Sequence, residues 1–322
     1  MRRAWTGVFV VLGVLAVAVT SFVLLDRGGV TTILDTSGCT AEVDGHRVEL
    51  DLEQAENASL ITAVSIQRGM PARAASIALA TAYQESKLYN IDYGDRDSVG
   101  LFQQRPSQGW GTVPQLMDPV FATNAFYDAL AKVDGYEAME ITVAAQTVQR
   151  SAFPDAYADH ERDGRALASA LTGNSPEALW CDVRGDADEA SDELDPSGLV
   201  PRAVVVREDL EARFGSLSLG GFEPAGVSTG HMEGSAHYEG RAIDVFFRPV
   251  NAENRKRGWA MASYLVANAD RLAVSTIIFD DRIWQAGRRA GDGWRDYRVP
   301  SSSRGDRAIL EHRDHVHVDV LR

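Results

Sequence analysis

Three histidines and one aspartate, divided between two segments, have the types and spacing of a hydrolytic metal site. The stretch Ser235 to Asp244 reads SAHYEGRAID and places His237 seven residues before Asp244, while a later stretch, DHVHVDV, carries His315 and His317. Imidazole nitrogens and carboxylate oxygens are ligands that zinc favours. Three of them on a tetrahedral ion leave one position for water, which the metal activates for attack on a carbonyl. That is the chemistry of a metallopeptidase.

The elements that must position these groups can be read from the same segments. DHVHVDV alternates, so a strand there sends His315, His317 and Asp319 to one face and Val316, Val318 and Val320 to the other. AIDVFF reads as a second strand, with Ala242 and Asp244 on one face. A loop-borne His237 and a strand-borne Asp244 can then converge with His317 on one ion. His231 and His312 lie nearby in sequence but fit no ligand spacing, and are expected at the margin of the site or on the surface.

Ser235, His237, Gly240, Ala242 and Asp244 fill every fixed place of the signature S-x-H-x-x-G-x-A-x-D. In this the segment resembles the zinc peptidases of the lysostaphin, D-Ala-D-Ala peptidase and hedgehog superfamily. The resemblance implies that His237, Asp244 and His317 are the zinc ligands. It also implies that His315, the first His of H-x-H, is the catalytic base. Other branches of that superfamily use a Glu three residues before the ligand His, a place held here by Asp314.

A second constellation lies in the first half. ALATAYQESKLYN (Ala78 to Asn90) is followed by DSVGLFQQRPSQGWGT (Asp97 to Thr112). The Ala- and Leu-rich stretch Ala72 to Leu88 follows Pro71, a good helix start, and Ala78, Ala82 and Glu85 form a stripe at helical spacing. Glu85 thus falls on the apolar side. Burial disfavours a charged carboxylate and raises its pKa, which suits a general acid that protonates a glycosidic oxygen near neutral pH.

Glu85, Ser86, Gly100, Leu101 and Gln103 match a helix-terminal E-S and a following G-L-M-Q segment, with Phe102 in place of Met. These residues resemble the lysozyme-like superfamily, closest to its soluble lytic transglycosylase and goose-lysozyme branch. The resemblance implies Glu85 as catalytic acid and Ser98 and Gln103 as substrate contacts. The family's Tyr-Asn-Ala-Gly motif is absent. AAQTVQRSAFPDAYA occupies its region, making Gln146, Arg150 and Tyr157 further candidates for substrate contact. Glycosidases generally use two carboxylates. Only Glu85 is evident, since Asp92, Asp95 and Asp97 share a loop with no motif to select among them, and a single acid agrees with the transglycosylase chemistry that the resemblance implies.

Arg2 and Arg3 precede an uncharged run from Trp5 to Leu25, long enough to cross a hydrocarbon core of about 30 Å as a helix. The flanking arginines predict a cytoplasmic N-terminus, residues 1–4, and an extracytoplasmic remainder. A cleaved signal peptide is the alternative reading of this run. The two cysteines, Cys39 and Cys181, bracket the lysozyme-like segment, and a disulfide between them would staple its ends. No C-x-x-C is present to suggest redox catalysis or a cysteine zinc site.

Composition then divides the chain. GDADEASDELDPSG (Gly185 to Gly198) is acidic and nearly free of large apolar residues, as expected of a solvated linker. Residues 199–322 carry 18 basic and 17 acidic side chains, so most of the net charge of −14 precedes the linker. No basic stripe suggests a nucleic-acid partner. The expected fold class is an N-terminal transmembrane helix at 5–25, a mainly α lysozyme-like domain at 39–183, a linker at 184–198, and an α+β zinc peptidase-like domain with antiparallel sheet at 199–322. The two resemblances together imply a membrane-anchored peptidoglycan hydrolase that cuts glycan strands and stem peptides or cross-bridges. The alternative is an envelope assembly factor whose C-terminal domain binds wall peptide without cleaving it.

Overall fold

The computed structural model describes residues 37–151 and 155–322. Strands β1 (Gly38–Val43) and β2 (His46–Leu50) form a hairpin across Asp44 and Gly45, whose φ angles of 51° and 73° are those that a two-residue Asp-Gly turn supplies. Helix α1 (Leu52–Gln67) opens on a capping box. Asp51 accepts from the Gln54 N–H, and the Gln54 side chain accepts from the Asp51 N–H, each at 2.9 Å. Helix α2 (Ala72–Ser86) starts after Pro71 and ends where Lys87 turns left-handed at φ 56°. Then follow α3 (Val113–Leu116), α4 (Pro119–Leu130), α5 (Ile141–Gln149) and α6 (Glu161–Leu171), and strand β3 (Leu179–Asp182) returns to pair with β1.

Cys39 and Cys181 are cross-strand partners on β1 and β3 and form a disulfide. It closes a loop of 142 residues, a constraint on the unfolded chain worth about 2–5 kcal/mol.

The second half opens with α7 (Pro201–Phe214), β4 (Leu219–Gly220) and β5 (Ala242–Phe246), then α8 (Ala252–Ala267), β6 (Val274–Phe279), β7 (Arg282–Gln285), β8 (Arg295–Asp296), α9 (Arg307–Leu310) and β9 (His315–Val320). Its six strands form one antiparallel sheet in the order β4-β5-β9-β6-β7-β8. β9 is therefore central. Val316, Val318 and Val320 are buried on its apolar face, and α8 packs against both β6 and β9.

The two halves share a core. α8 also packs on α1 and α6, where Asn268 donates to Ser59 Oγ at 2.9 Å and Ser263 donates to the Ala170 carbonyl at 3.2 Å. The indoles of Trp284 and Trp294 donate to the Cys181 and Leu179 carbonyls of β3. Residues 37–322 consequently form one contact unit. The acidic stretch is exposed at 186–194, and Asp195 ends it by accepting from the Ser197 and Leu199 N–H groups.

The expected fold class needs correction. The transmembrane helix placed at 5–25 lies outside the described residues, and among those described no helix is long and apolar enough to cross a membrane. The longest, α1 and α8, have 16 residues each and carry charged side chains such as Glu53 and Arg255. The described residues form a mixed α/β structure with two antiparallel sheets. The first half gains its sheet because β3, at the far end of that half, returns to the edge of the β1–β2 hairpin.

Candidate functional site

Glu85 sits in the last turn of α2, half-buried, where Ser86 ties the helix end to the next loop by donating to the Leu101 carbonyl at 2.8 Å. That loop turns sharply at Gly100, whose φ is 78°. A Cβ there would lie 2.3 Å from the Leu116 carbonyl oxygen, so GLFQQ can run this close to α3 only with glycine at that place.

Two side chains hold the Glu85 carboxyl. The Tyr157 hydroxyl donates to Oε1 at 2.5 Å, and the Gln149 amide donates to the same oxygen at 3.2 Å and to the Phe102 carbonyl at 2.7 Å. Both bonds fall on Oε1, which leaves Oε2 as the oxygen to carry a proton. Burial raises the Glu85 pKa and outweighs the opposite pull of these two hydrogen bonds. Burial, then the Glu85 charge, raises the Tyr157 pKa as well, so the phenol remains a donor.

The other candidates from the first half are placed as follows. Ser98 is buried and donates to the Asp95 carbonyl, and Gln103 donates to the Tyr93 and Gly100 carbonyls, so both hold the loop after α2. Gln146 donates to the Ser151 carbonyl. Arg150 is exposed and lines, with Gln149, Trp110 and Lys132, a cleft of about 810 Å³. Gln149 was not legible in the sequence, because its role depends on α5 packing against α2.

In the second half, β5 and β9 bring Asp244 and His317 opposite each other, and a short turn at Ala236–Glu239 delivers His237 to the same face. The His237 Nε2 to His317 Nδ1 distance is 3.0 Å, His317 Nδ1 to Asp244 Oδ1 is 3.2 Å, and His237 Nε2 to Asp244 Oδ1 is 3.3 Å. Tetrahedral zinc with bonds of 2.0–2.1 Å needs ligand separations of about 3.3 Å. The three donors therefore fit a zinc ion.

Their orientation is fixed from behind. His237 Nδ1 donates to the Gly221 carbonyl at 2.6 Å, which turns Nε2 inward. His317 Nε2 faces Asp319 at 3.6 Å, and Ser275 holds Asp319 at 2.8 Å, which turns Nδ1 inward. Such partners set the tautomer of a metal-binding imidazole. Gly221, at φ 78°, lets the backbone come this close: a Cβ on it would stand 2.3 Å from His237 Cε1.

Electrostatics agree with a cation site. Burial alone would raise the Asp244 pKa, yet hydrogen bonds from His237 and His317 bring it well below the carboxylate range. Burial alone would lower that of His317, but Asp244 and Asp319 push it up to about 9. A proton and a metal ion thus compete for these donors. Burial, and then the adjacent His315 and His317, hold His312 down at about 3, so this cleft-lining imidazole is neutral.

His315 projects beside the triangle, its Nε2 3.7 Å from Asp244 Oδ1. Its Nδ1 lies 2.7 Å from Asp314 Oδ1, and Arg248 Nε donates to Asp314 Oδ2 at 2.7 Å. His231, expected at the margin, lies close to two of these groups: ligand atoms of His231, His237 and Asp244 lie within 4.8 Å of one another. His231, His237, Asp244, Arg248, His315 and His317 line a cleft of about 530 Å³ whose apolar side is built by Met232, Val299, Ile309 and Leu310.

Residues 195–307 match the family described as VldE, C-terminal domain. The match takes in His231, His237 and Asp244 and stops before His315. No curated protein matches the chain.

Proposed function

We propose that the chain is a peptidoglycan hydrolase with two chemistries, Glu85-dependent cleavage of the glycan and zinc-dependent cleavage of peptide bonds in the same polymer. The observation that carries the reading is the Glu85 carboxyl, placed beside the GLFQQ turn, raised in pKa by burial and bonded through one oxygen only. A carboxyl so held keeps its proton to a higher pH than a free one and can give it to a glycosidic oxygen.

One acid is what the site offers. Asp92 and Asp95 are exposed, and Asp97 is engaged by Arg105 and the Ser107 N–H, which hold it well below the usual carboxylate range. That favours the transglycosylase type of cleavage, in which the sugar's own substituents assist departure, over a two-carboxylate hydrolysis.

For the peptide bond, the support is the donor triangle of His237, Asp244 and His317. A divalent ion bound there supplies Lewis acidity and an activated water. His315 faces the triangle as the proton acceptor, and Asp314 orients it through Nδ1, the arrangement by which a carboxylate fixes an imidazole base in its working tautomer. The Cys39–Cys181 disulfide supports an oxidising, extracytoplasmic place of action.

Purified sacculi digested with the full chain test the reading. Mass spectrometry should find new glycan ends together with opened peptides, and a chelator should remove the peptide products alone. Release of neither class overturns the proposal.

A further inference from the structure

We infer that His231 is a fourth protein donor, carried on a loop that closes the metal site against water and substrate. The inference rests on the reading of His237, Asp244 and His317 as a zinc site and adds a gate to it. His231 lies between Gly230 and Gly234, whose φ angles of 95° and 77° fold the loop back over the cleft. Its ring stacks on that of His237, with centroids 3.9 Å apart and planes 25° apart.

The position is built rather than incidental. The Tyr238 hydroxyl accepts from the His231 N–H at 3.0 Å and donates to the His231 carbonyl at 2.6 Å, so one phenol clamps both polar groups of the residue. Tyr238 follows the ligand His237 directly, which couples the loop to the metal face. The donor atoms of His231, His237 and Asp244 all lie within 4.8 Å of one another, against the separation of about 3.3 Å that tetrahedral zinc requires. Movement of the loop toward the ion converts a three-donor site into a four-donor one. Four protein donors on zinc make a closed site, and three make an open one. The loop therefore sets which of the two the chain presents.

The test is X-ray absorption spectroscopy of the zinc-loaded full chain with its His231→Ala and Tyr238→Phe variants, together with zinc affinity by competition with a chromophoric chelator. The wild type should show three imidazoles on zinc and His231→Ala two, with affinity falling at least the 10–100-fold typical of losing a supporting partner. Tyr238→Phe, which keeps the ring and loses the clamp, should lie between them. Three imidazoles in wild type and in His231→Ala alike, or two in both with unchanged affinity, overturn the fourth donor and leave the three-donor site standing. Zinc binding that survives His317→Ala undiminished overturns the underlying site instead.

Discussion

Asp244 and His317 are direct cross-strand partners of β5 and β9, and their side chains meet at 3.2 Å on the sheet face opposite the valine core. β5 lies between β4 and β9, and β9 between β5 and β6, so each group sits on a strand paired on both sides. The third donor, His237, comes from a turn anchored by the Gly221 carbonyl. Two rigid elements and one glycine-permitted contact thus set the geometry of the proposed metal site.

Gly221→Ala should weaken zinc binding about 10–100-fold while leaving Glu85-dependent glycan cleavage intact. The added Cβ would fall 2.3 Å from His237 Cε1 and 3.0 Å from Asp244 Oδ2, and φ 78° is itself unfavourable for alanine. Zinc competition titration measures the first effect, and glycan-end analysis the second.

Glu85→Gln should lower glycan cleavage by roughly 10²–10⁴-fold. It should also change the pH dependence of stability. The folded-state pKa of Glu85 is raised above 4.5, so its protonated form is favoured in the native state. That contribution is present in full below the unfolded pKa and is lost as pH rises through the folded one. The melting temperature of the variant relative to wild type should therefore rise between pH 4 and pH 8. A flat difference contradicts the buried-acid assignment.

Tyr157→Phe removes a hydrogen bond to the ionised form of Glu85, so the carboxyl pKa should climb further. The basic limb of the pH–rate profile for glycan cleavage should move upward, an effect that simple loss of packing would not produce. The measurement is the profile itself, read against wild type.

Much of this site was legible in the sequence, for physical reasons. The period-2 alternation of DHVHVDV put His315, His317 and Asp319 on one face, as β9 does, and AIDVFF located β5 to within a residue. The helix that carries Glu85 in its last turn followed from Pro71 and the alanine-rich stripe. Gln149 and His231 escaped because their partners are fixed by tertiary contact, α5 on α2 and a glycine-flanked loop over the cleft, which no local period records. The short strands β3, β7 and β8 escaped for the same reason. The core that continues past the acidic segment depends on Trp284 and Trp294 reaching β3 carbonyls, a pairing between residues more than 100 positions apart in sequence.

His315→Ala and Asp314→Asn separate the two candidates for the base. His315→Ala should retain zinc and lose peptide cleavage. Asp314→Asn should retain zinc and lower the rate less severely, with an altered pH profile, since it frees the ring that it orients. Loss of zinc from His315→Ala to the extent seen in His317→Ala would make His315 a ligand.

The most direct test of the whole account is mass spectrometry of sacculi digested by wild type, Glu85→Gln, His317→Ala and the double variant. The account predicts glycan ends and opened peptides from wild type, peptide products alone from Glu85→Gln, glycan products alone from His317→Ala, and none from the double variant. A double variant that releases the same fragments as wild type would contradict it.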